Sequence, residues 1–449
     1  MFGQGKEPIF RMARAIHTLA VTILCAACIS AGWPARCAAY SVLSHEAIID
    51  VSWEKSLRPM LLERFPHATR DDLREAHGYV YGGAIIQDMG YYPHGSHFFS
   101  DLTHYVRSGD FVLALLRDAK TLDEYAFALG ALAHYAADND GHKIGTNRAV
   151  PILYPKLRKK FGDSVTYEDD PLAHVKTEFG FDVLEVAKQR YAPDSYHDFI
   201  GFQVAEELLA RAFEETYGLE LKDVLANPDK AFNSYRYGVS KLIPKATRVA
   251  WTLKKDEIQK DLPGITKKKF MYNLKRASFE KNWGKDYQPP SFGEKFLAVL
   301  FKILPKIGPL RVLQLKTPTP DTELMFENSF NATVDSYRVL LDGVHGGNLV
   351  LPNDNFDTGG ETGPGKYKMN DDVHARLLDT LAKEDFSKAP REAREELIKF
   401  YGESDAAYST KKNAKAWAKV QVQIERLKTA PPANLEKAAA DVPAGRSSN

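Results

Sequence analysis

The sequence contains little cysteine, and all of it lies near the start of the chain. Its three cysteines are Cys25, Cys28 and Cys37, in a chain of 449 residues. Beyond residue 37 there is no cysteine, so disulfide bonds are not what holds the rest of the chain together. The fold must depend on an apolar core, and a chain of this length with 44% hydrophobic residues can bury one.

Long apolar runs are also rare, and the clearest one lies within residues 1–39. There, three basic residues precede an apolar stretch that is followed by the small-residue ending Cys37-Ala38-Ala39. This order is typical of a secretory signal peptide. His17 interrupts the stretch, which makes a retained membrane anchor the less favoured alternative. We therefore expect cleavage before Tyr40 and a periplasmic or secreted mature protein.

Alternating, strand-like patterns are few, whereas helical periodicity recurs along the chain. Thr69 and Thr121 can each cap a helix, and Ser44 can cap another that extends to about residue 65. Two further apolar repeats are helical, and the second ends at Gly218. These patterns predict a mostly α fold. Between the helices, residues 81–105 are rich in glycine and aromatic residues and are expected to form a loop.

Composition divides the mature chain into regions. Ten of the 13 histidines lie between residues 45 and 197, whereas residues 241–316 contain 18 Lys and Arg against 6 Asp and Glu. We therefore predict a helical domain at 40–240, a basic, mostly helical C-terminal region at 241–428 and a disordered tail at 429–449. The basic region includes an apolar stretch too short to span a bilayer, which favours contact with a membrane surface. Binding of a nucleic-acid backbone is the alternative.

Two of the predicted helices in the first domain each carry a histidine with a carboxylate four residues later. His134 and Asp138 are four residues apart, as are His174 and Glu178, so the two side chains of each pair can face the same ligand. One such pair is weak evidence, because similar pairs are common on protein surfaces. The remaining nitrogen and oxygen donors of this region are His45, Asp88, His104 and His142. Eight donors exceed the roughly four that one zinc ion takes, which predicts more than one ion.

The sequences LTHY around His104, HYAAD from His134 and HVKTE from His174 complete a recognisable order. Together with Asp88 and the start at Tyr40, this order resembles the zinc-dependent phospholipase C family, which shares its trinuclear zinc fold with single-strand-specific nucleases. The resemblance covers about residues 40 to 220. It implies a multi-helix bundle with three Zn²⁺ ions, to which the C-terminal region is an addition.

The resemblance also implies a ligand set for each ion. One ion would be held by His45 and by the amino and carbonyl groups of Tyr40. Asp138 would bridge it to a second ion, whose other ligands would be Asp88, His104 and His134. The third ion would be held by His142, His174 and Glu178.

Some histidines are less securely placed. His142 follows Asp138 more closely than the family pattern has it, so His94 or His97 is an alternative to it. His67 and His77 lie in a charged helix-turn region and are expected to be solvated or to cap a helix.

The activity implied by the resemblance is hydrolysis of a phosphodiester by a zinc-bound hydroxide, with Asp88 helping to deprotonate the water. The expected substrate is a glycerophospholipid, cleaved on the diacylglycerol side. One alternative is a single-strand-specific nuclease or nucleotidase on the same scaffold. The other is a non-catalytic zinc protein whose ions only fasten helices together.

Overall fold

The computed structural model describes residues 41–188, 190, 202–239, 243–270, 314–402 and 413–431. The predicted signal peptide, Tyr40 and residues 432–449 of the predicted disordered tail lie outside these ranges. Most of the apolar stretch of the basic region also lies outside them.

Helices account for almost all of the regular structure in the described ranges, so the predicted mostly α fold is confirmed. The α-helices are α1 (Val42–Ser52), α2 (Arg58–Arg64), α3 (Arg70–Gly83), α4 (His97–Tyr105), α5 (Ser108–Asp118), α6 (Leu122–Asp140), α7 (Asn147–Leu153), α8 (Pro155–Phe161), α9 (Pro171–Lys188), α10 (Glu206–Tyr217), α11 (Leu221–Val224), α12 (Pro228–Tyr237), α13 (Ile243–Asp261), α14 (Pro320–His345), α15 (Lys368–Ala382), α16 (Arg391–Gly402) and α17 (Ala414–Thr429). None of these helices is both long enough and apolar enough to cross a membrane.

Three short elements interrupt or connect the helices. A π-helical turn, Trp53–Leu57, joins α1 to α2, and a second one, Gly141–Thr146, continues α6 into α7. A 3₁₀-helix, Ile86–Tyr91, follows α3. Among the described residues, the strands are β1 (Asp354–Asn355) and β2 (Gly360–Glu361), which pair antiparallel as a small hairpin.

The helix boundaries follow local sequence signals in most places. Thr69 and Thr121 cap α3 and α6 with reciprocal capping boxes, as predicted. Gly218 adopts a left-handed conformation with φ of 69° and ends α10. The cap predicted at Ser44 is wrong. Helix α1 begins at Val42, and the Ser44 hydroxyl donates instead to Asp182 Oδ1 at 2.7 Å.

The loop predicted over residues 81–105 is also wrong in most of its length, because the 3₁₀-helix and α4 occupy it. Phe98, Phe99 and Leu102 are buried from one face of α4, and Phe99 stacks on Phe213 with ring centroids 5.3 Å apart. Burial of these large side chains outweighs the turn-forming tendency of the glycines and proline around them.

Helices α3 and α6 pack with their backbones in contact. A Cβ atom on Gly83 would lie 2.0 Å from the Phe127 carbonyl oxygen, and one on Gly130 would lie 2.1 Å from the Val80 carbonyl oxygen. Only glycine allows this approach. The contact fixes the position of the C-terminal half of α6.

One apolar core extends across the boundary expected at residue 240. Helix α14 packs along α6 and the π-helical turn after it, and the Tyr337 hydroxyl donates to the Leu129 carbonyl at 2.8 Å. Phe356 and Leu377 belong to the same buried cluster as Val42. Residues after 240 therefore help to enclose the first domain.

Candidate metal centre

Eight of the nine predicted ligands lie in the described residues, and the structure brings all eight together. They come from α1, the 3₁₀-helix, α4, α6, the second π-helical turn and α9. Each of these side chains is at most 2% exposed. Tyr40, the ninth, is outside the described residues.

The donor atoms form three groups, in each of which all donors lie within 4.8 Å of one another. The groups are His45 with His134 and Asp138, Asp88 with His104 and His134, and His142 with His174 and Glu178. The third group has the membership implied by the resemblance, and the second contains the three ligands implied beside the bridging Asp138. His134 is common to the first two groups, so these lie side by side.

Asp138 lies at the meeting point of three imidazoles. Its Oδ2 is 3.2 Å from His134 Nε2 and 3.3 Å from His104 Nε2, and its Oδ1 is 3.7 Å from His45 Nε2. Asp88 Oδ1 lies 3.4 Å from the same His104 Nε2 atom.

The third group is built on one turn of α9 and the π-helical turn. Glu178 Oε1 is 2.9 Å from His174 Nε2 and 3.7 Å from His142 Nε2. The two imidazole centroids are 4.9 Å apart. His142 reaches Glu178 even though it follows Asp138 by only four residues, because the wide π-helical turn begins between them.

The spacing of the donors fits a tetrahedral metal better than hydrogen bonding. Zinc bonds of about 2.0–2.2 Å place neighbouring tetrahedral donors about 3.4 Å apart, and most of the separations above lie near that value. Among the described residues, both oxygens of Asp138 and the Nε2 atoms of His104 and His134 make no hydrogen bond, although they are buried. Buried polar atoms are rarely left this way without a ligand between them.

Hydrogen bonds on the other side of three imidazoles fix which nitrogen faces the centre. Nδ1 of His104 donates to the Ser100 carbonyl at 2.7 Å, and Nδ1 of His134 donates to the Ala84 carbonyl at 3.0 Å. His142 donates in the same way to the Phe356 carbonyl at 2.8 Å. Each ring therefore presents Nε2 to the group it belongs to, as metal-binding histidines do.

Residues 44–227 match the model of a family described as zinc dependent phospholipase C. This segment contains all eight donors. It belongs to the zinc-dependent phospholipase C family. We found no match to the chain among curated proteins or among solved structures. The family assignment identifies the segment as a phospholipase C-type hydrolase domain and zinc as the metal that its donor groups suit.

Without a bound cation, burial and neighbouring like charges oppose the charged forms of several donor groups in the phospholipase C domain. Burial raises the pKa of Glu178 well above its usual range, and the nearby carboxylates Asp138 and Asp88 raise it further. Burial and the neighbouring His134 lower the pKa of His45 to about 3. At His104 burial also opposes the charged form, but the adjacent carboxylates of Asp138 and Asp88 outweigh it and raise the pKa to about 10. A bound cation would relieve the repulsion among the carboxylates.

Two residues that the sequence did not indicate also reach the phospholipase C domain's centre. Phe356 accepts from His142, and Asp357 Oδ1 lies 3.7 Å from His142 Nδ1. Both lie in the hairpin, far beyond the family match. Their sequence shows only a glycine-rich stretch, with no histidine or carboxylate spacing that points to His142.

The other described histidines of the first domain lie outside the three groups. His94 is exposed and has a φ of 64°, and His97 is half-buried with its ring 5.5 Å from that of Tyr91. His67 is exposed, as expected. The solvated role expected for His77 is wrong, because this side chain is buried.

Proposed function

We propose that this chain is an exported zinc-dependent phospholipase C that cleaves glycerophospholipids on the diacylglycerol side. The observation that supports it is the junction of the donor groups at His134 and Asp138, buried within the family-matched segment. Three ions, one for each group, are part of this proposal.

In the proposed reaction, a water oxygen bonds to phosphorus and the bond between phosphorus and the glycerol oxygen breaks. The products are diacylglycerol and the phosphorylated headgroup. Zinc, when bound, polarises the phosphoryl oxygens and makes the attacking water more acidic. Asp88 accepts the proton of that water and returns it to the glycerol oxygen.

The proposal includes export by residues 1–39 and zinc binding by the new N-terminus at Tyr40. An α-amino group suits this role because its ordinary pKa is near 8, so it loses its proton readily beside a cation. His45 lies one turn into α1 and only five residues after Tyr40 in the sequence.

Contact with a membrane surface is also proposed, through the basic region. In its described part, Lys267, Lys268 and Lys269 are consecutive and exposed. Each such lysine contributes about 1 kcal/mol of attraction to an anionic lipid surface.

The substrate class is tested by incubating the purified mature protein with phosphatidylcholine vesicles and, separately, with single-stranded DNA. We expect release of phosphocholine and diacylglycerol, and loss of this activity when zinc is chelated. Cleavage of DNA without cleavage of lipid would replace the proposal by a nuclease. Tightly bound zinc with neither activity would leave a structural zinc protein.

The role of the shared donor is tested by Asp138→Asn. We expect activity to fall by at least about 100-fold, because losing a direct ligand costs more than the 10–100-fold typical of residues that only support one. His67→Ala changes an exposed histidine of the same domain and is the matched control. Equal activity of the two variants on vesicles would contradict the proposal.

The N-terminal ligand is tested by adding one alanine before Tyr40 of the mature chain. Because this moves the α-amino group away from the first donor group, we expect weaker zinc binding and lower activity, both measured against the chain that begins at Tyr40. If the extended chain binds zinc and turns over substrate as well as the unextended one, Tyr40 is not a ligand.

A further inference from the structure

The hairpin formed by β1 and β2 lies against the metal centre. The Phe356 ring packs on His104 with centroids 5.3 Å apart and on His134 at 6.1 Å. Its carbonyl accepts from His142 Nδ1 at 2.8 Å. The Phe356 amide donates in turn to the His104 carbonyl at 3.2 Å. A segment outside the family-matched residues is thus in contact with all three donor groups.

Asp357, the next residue, is held firmly in place. Its Oδ2 accepts from the Tyr105 hydroxyl at 2.7 Å and from the Tyr367 hydroxyl at 2.5 Å. Its backbone carbonyl accepts from Asn147 Nδ2 at 2.7 Å. The residue is only 3% exposed. A buried carboxylate fixed by two hydroxyl groups costs desolvation, which indicates that its charge acts on something nearby.

The group that Asp357 faces is the outer side of His142. Its Oδ1 lies 3.7 Å from Nδ1 of that imidazole, whereas Nε2, on the opposite side of the ring, lies 3.7 Å from Glu178 Oε1. A carboxylate on the Nδ1 side does not share an ion with Nε2 of the same ring. Asp357 therefore acts through His142.

We infer that Asp357 is a positioning residue of the metal centre, which together with the Phe356 carbonyl orients His142 and strengthens its bond to zinc. The carbonyl takes the Nδ1 proton and fixes the tautomer. The negative charge of Asp357 makes the imidazole a more basic ligand, as carboxylates behind metal-binding histidines do. The family-matched segment is thus completed by a hairpin more than 100 residues beyond its end.

The inference rests on the zinc binding in the proposed function and is independent of the substrate. Its test is the zinc affinity of the full mature chain, measured by competition with a chromogenic chelator. We expect Asp357→Asn to weaken the binding of one class of zinc about 10–100-fold. Asp354→Asn, a half-buried carboxylate of the same hairpin that does not contact His142, is the matched control and should leave zinc affinity unchanged.

Two further variants separate this role from a general effect on folding. In a Glu178→Gln background, the ion of the third donor group is already lost, so adding Asp357→Asn should cause no further loss. Tyr367→Phe removes one of the hydroxyl groups that hold Asp357 and should weaken zinc binding in the same direction, by less. If Asp357→Asn does not fold, the zinc affinity of Tyr367→Phe tests the inference in its place.

The outcomes are distinct. Unchanged zinc affinity in Asp357→Asn, or an equal loss in the Glu178→Gln background, overturns the inference. A wild-type chain that binds zinc but does not cleave vesicles overturns the proposed substrate and leaves the inference standing, provided that Asp357→Asn still weakens the metal. A wild-type chain without zinc overturns both.

Discussion

His134 and His77 show how far the surroundings of a buried histidine follow from sequence. Asp138 follows His134 by one helical turn, and that spacing predicted the contact now measured at 3.2 Å. His77 instead stacks on Trp53, with centroids 3.8 Å apart, and its Nε2 lies 3.5 Å from Asp50 Oδ1. Those partners come from another helical segment, so no local spacing predicts the contacts. For this reason the expectation that His77 is solvated is wrong.

The burial of His77 leads to a prediction about acid stability. Desolvation lowers its pKa from 6.5 to about 3 in the folded protein. Below pH 6.5, His77 binds a proton in the unfolded chain but stays neutral in the folded protein. Its contribution to the free energy of unfolding is therefore complete above pH 6.5. It is lost at up to about 1.4 kcal/mol per pH unit as the pH falls from 6.5 towards 3.

The variant His77→Gln isolates this effect. We expect it to be less stable than the wild type at pH 7, because the stacking on Trp53 is weakened, and the difference between the two proteins to shrink as the pH falls towards 4. Urea unfolding at each pH gives that difference. Parallel pH dependences of the two proteins would show that His77 is not the group being titrated.

Helices α6 and α9 could be predicted because each has a complete local signal. Helical periodicity is unbroken in both, Thr121 caps α6, and their His-x-x-x-acid pairs lie on single faces. The donors of α4 and the 3₁₀-helix were placed in a loop, because glycine and proline near them suggested turns. Their side chains converge all the same, since convergence depends on where the residues lie and not on the elements that hold them. The reach of the hairpin to His142 could not be predicted, because it is purely a tertiary contact.

The close packing of α3 on α6 gives a prediction at the level of these elements. In Gly130→Ala the new methyl group would lie 2.1 Å from the Val80 carbonyl oxygen, a backbone atom, so the helices must move apart. Overpacking of this kind costs about 1–3 kcal/mol. It should also weaken zinc binding, because His134 is one turn away on α6 and is held by the Ala84 carbonyl just after α3.

The matched control is Gly264→Ala, where nothing lies within 4 Å of the added methyl group. Urea unfolding and chelator competition should both distinguish the two variants. If Gly130→Ala is as stable and binds zinc as tightly as Gly264→Ala, the helices are not in the contact described.

On the scale of the whole molecule, composition predicts a domain boundary at residue 240, and the apolar core contains side chains from both sides of it. Basic residues mark a change in surface charge, and surface charge is set independently of what lies beneath it. The buried side chains of α14 and of the hairpin complete the core around α6. The metal centre and the later part of the chain therefore form one structural unit within the described residues.

Truncation tests that unit. A mature chain that ends at residue 239 lacks α14 and the hairpin, so it loses the Tyr337 contact to α6 and the Phe356 carbonyl on His142. We expect it to melt at a much lower temperature and to bind less zinc than the full chain. A chain that ends at residue 431 keeps every described element and should behave as the full chain does. Full zinc binding and an unchanged melting temperature in the shorter chain would show that residues 40–239 fold alone.

The hydrogen bond from His142 to a carbonyl 214 residues later can form only after both parts of the chain have been synthesised. A ribosome has made every donor residue long before it reaches the hairpin, yet the imidazole has its final orientation only after that segment has emerged. Contacts so distant in sequence form late and slowly. We therefore expect the candidate metal centre to reach its full zinc affinity only once the hairpin is in place.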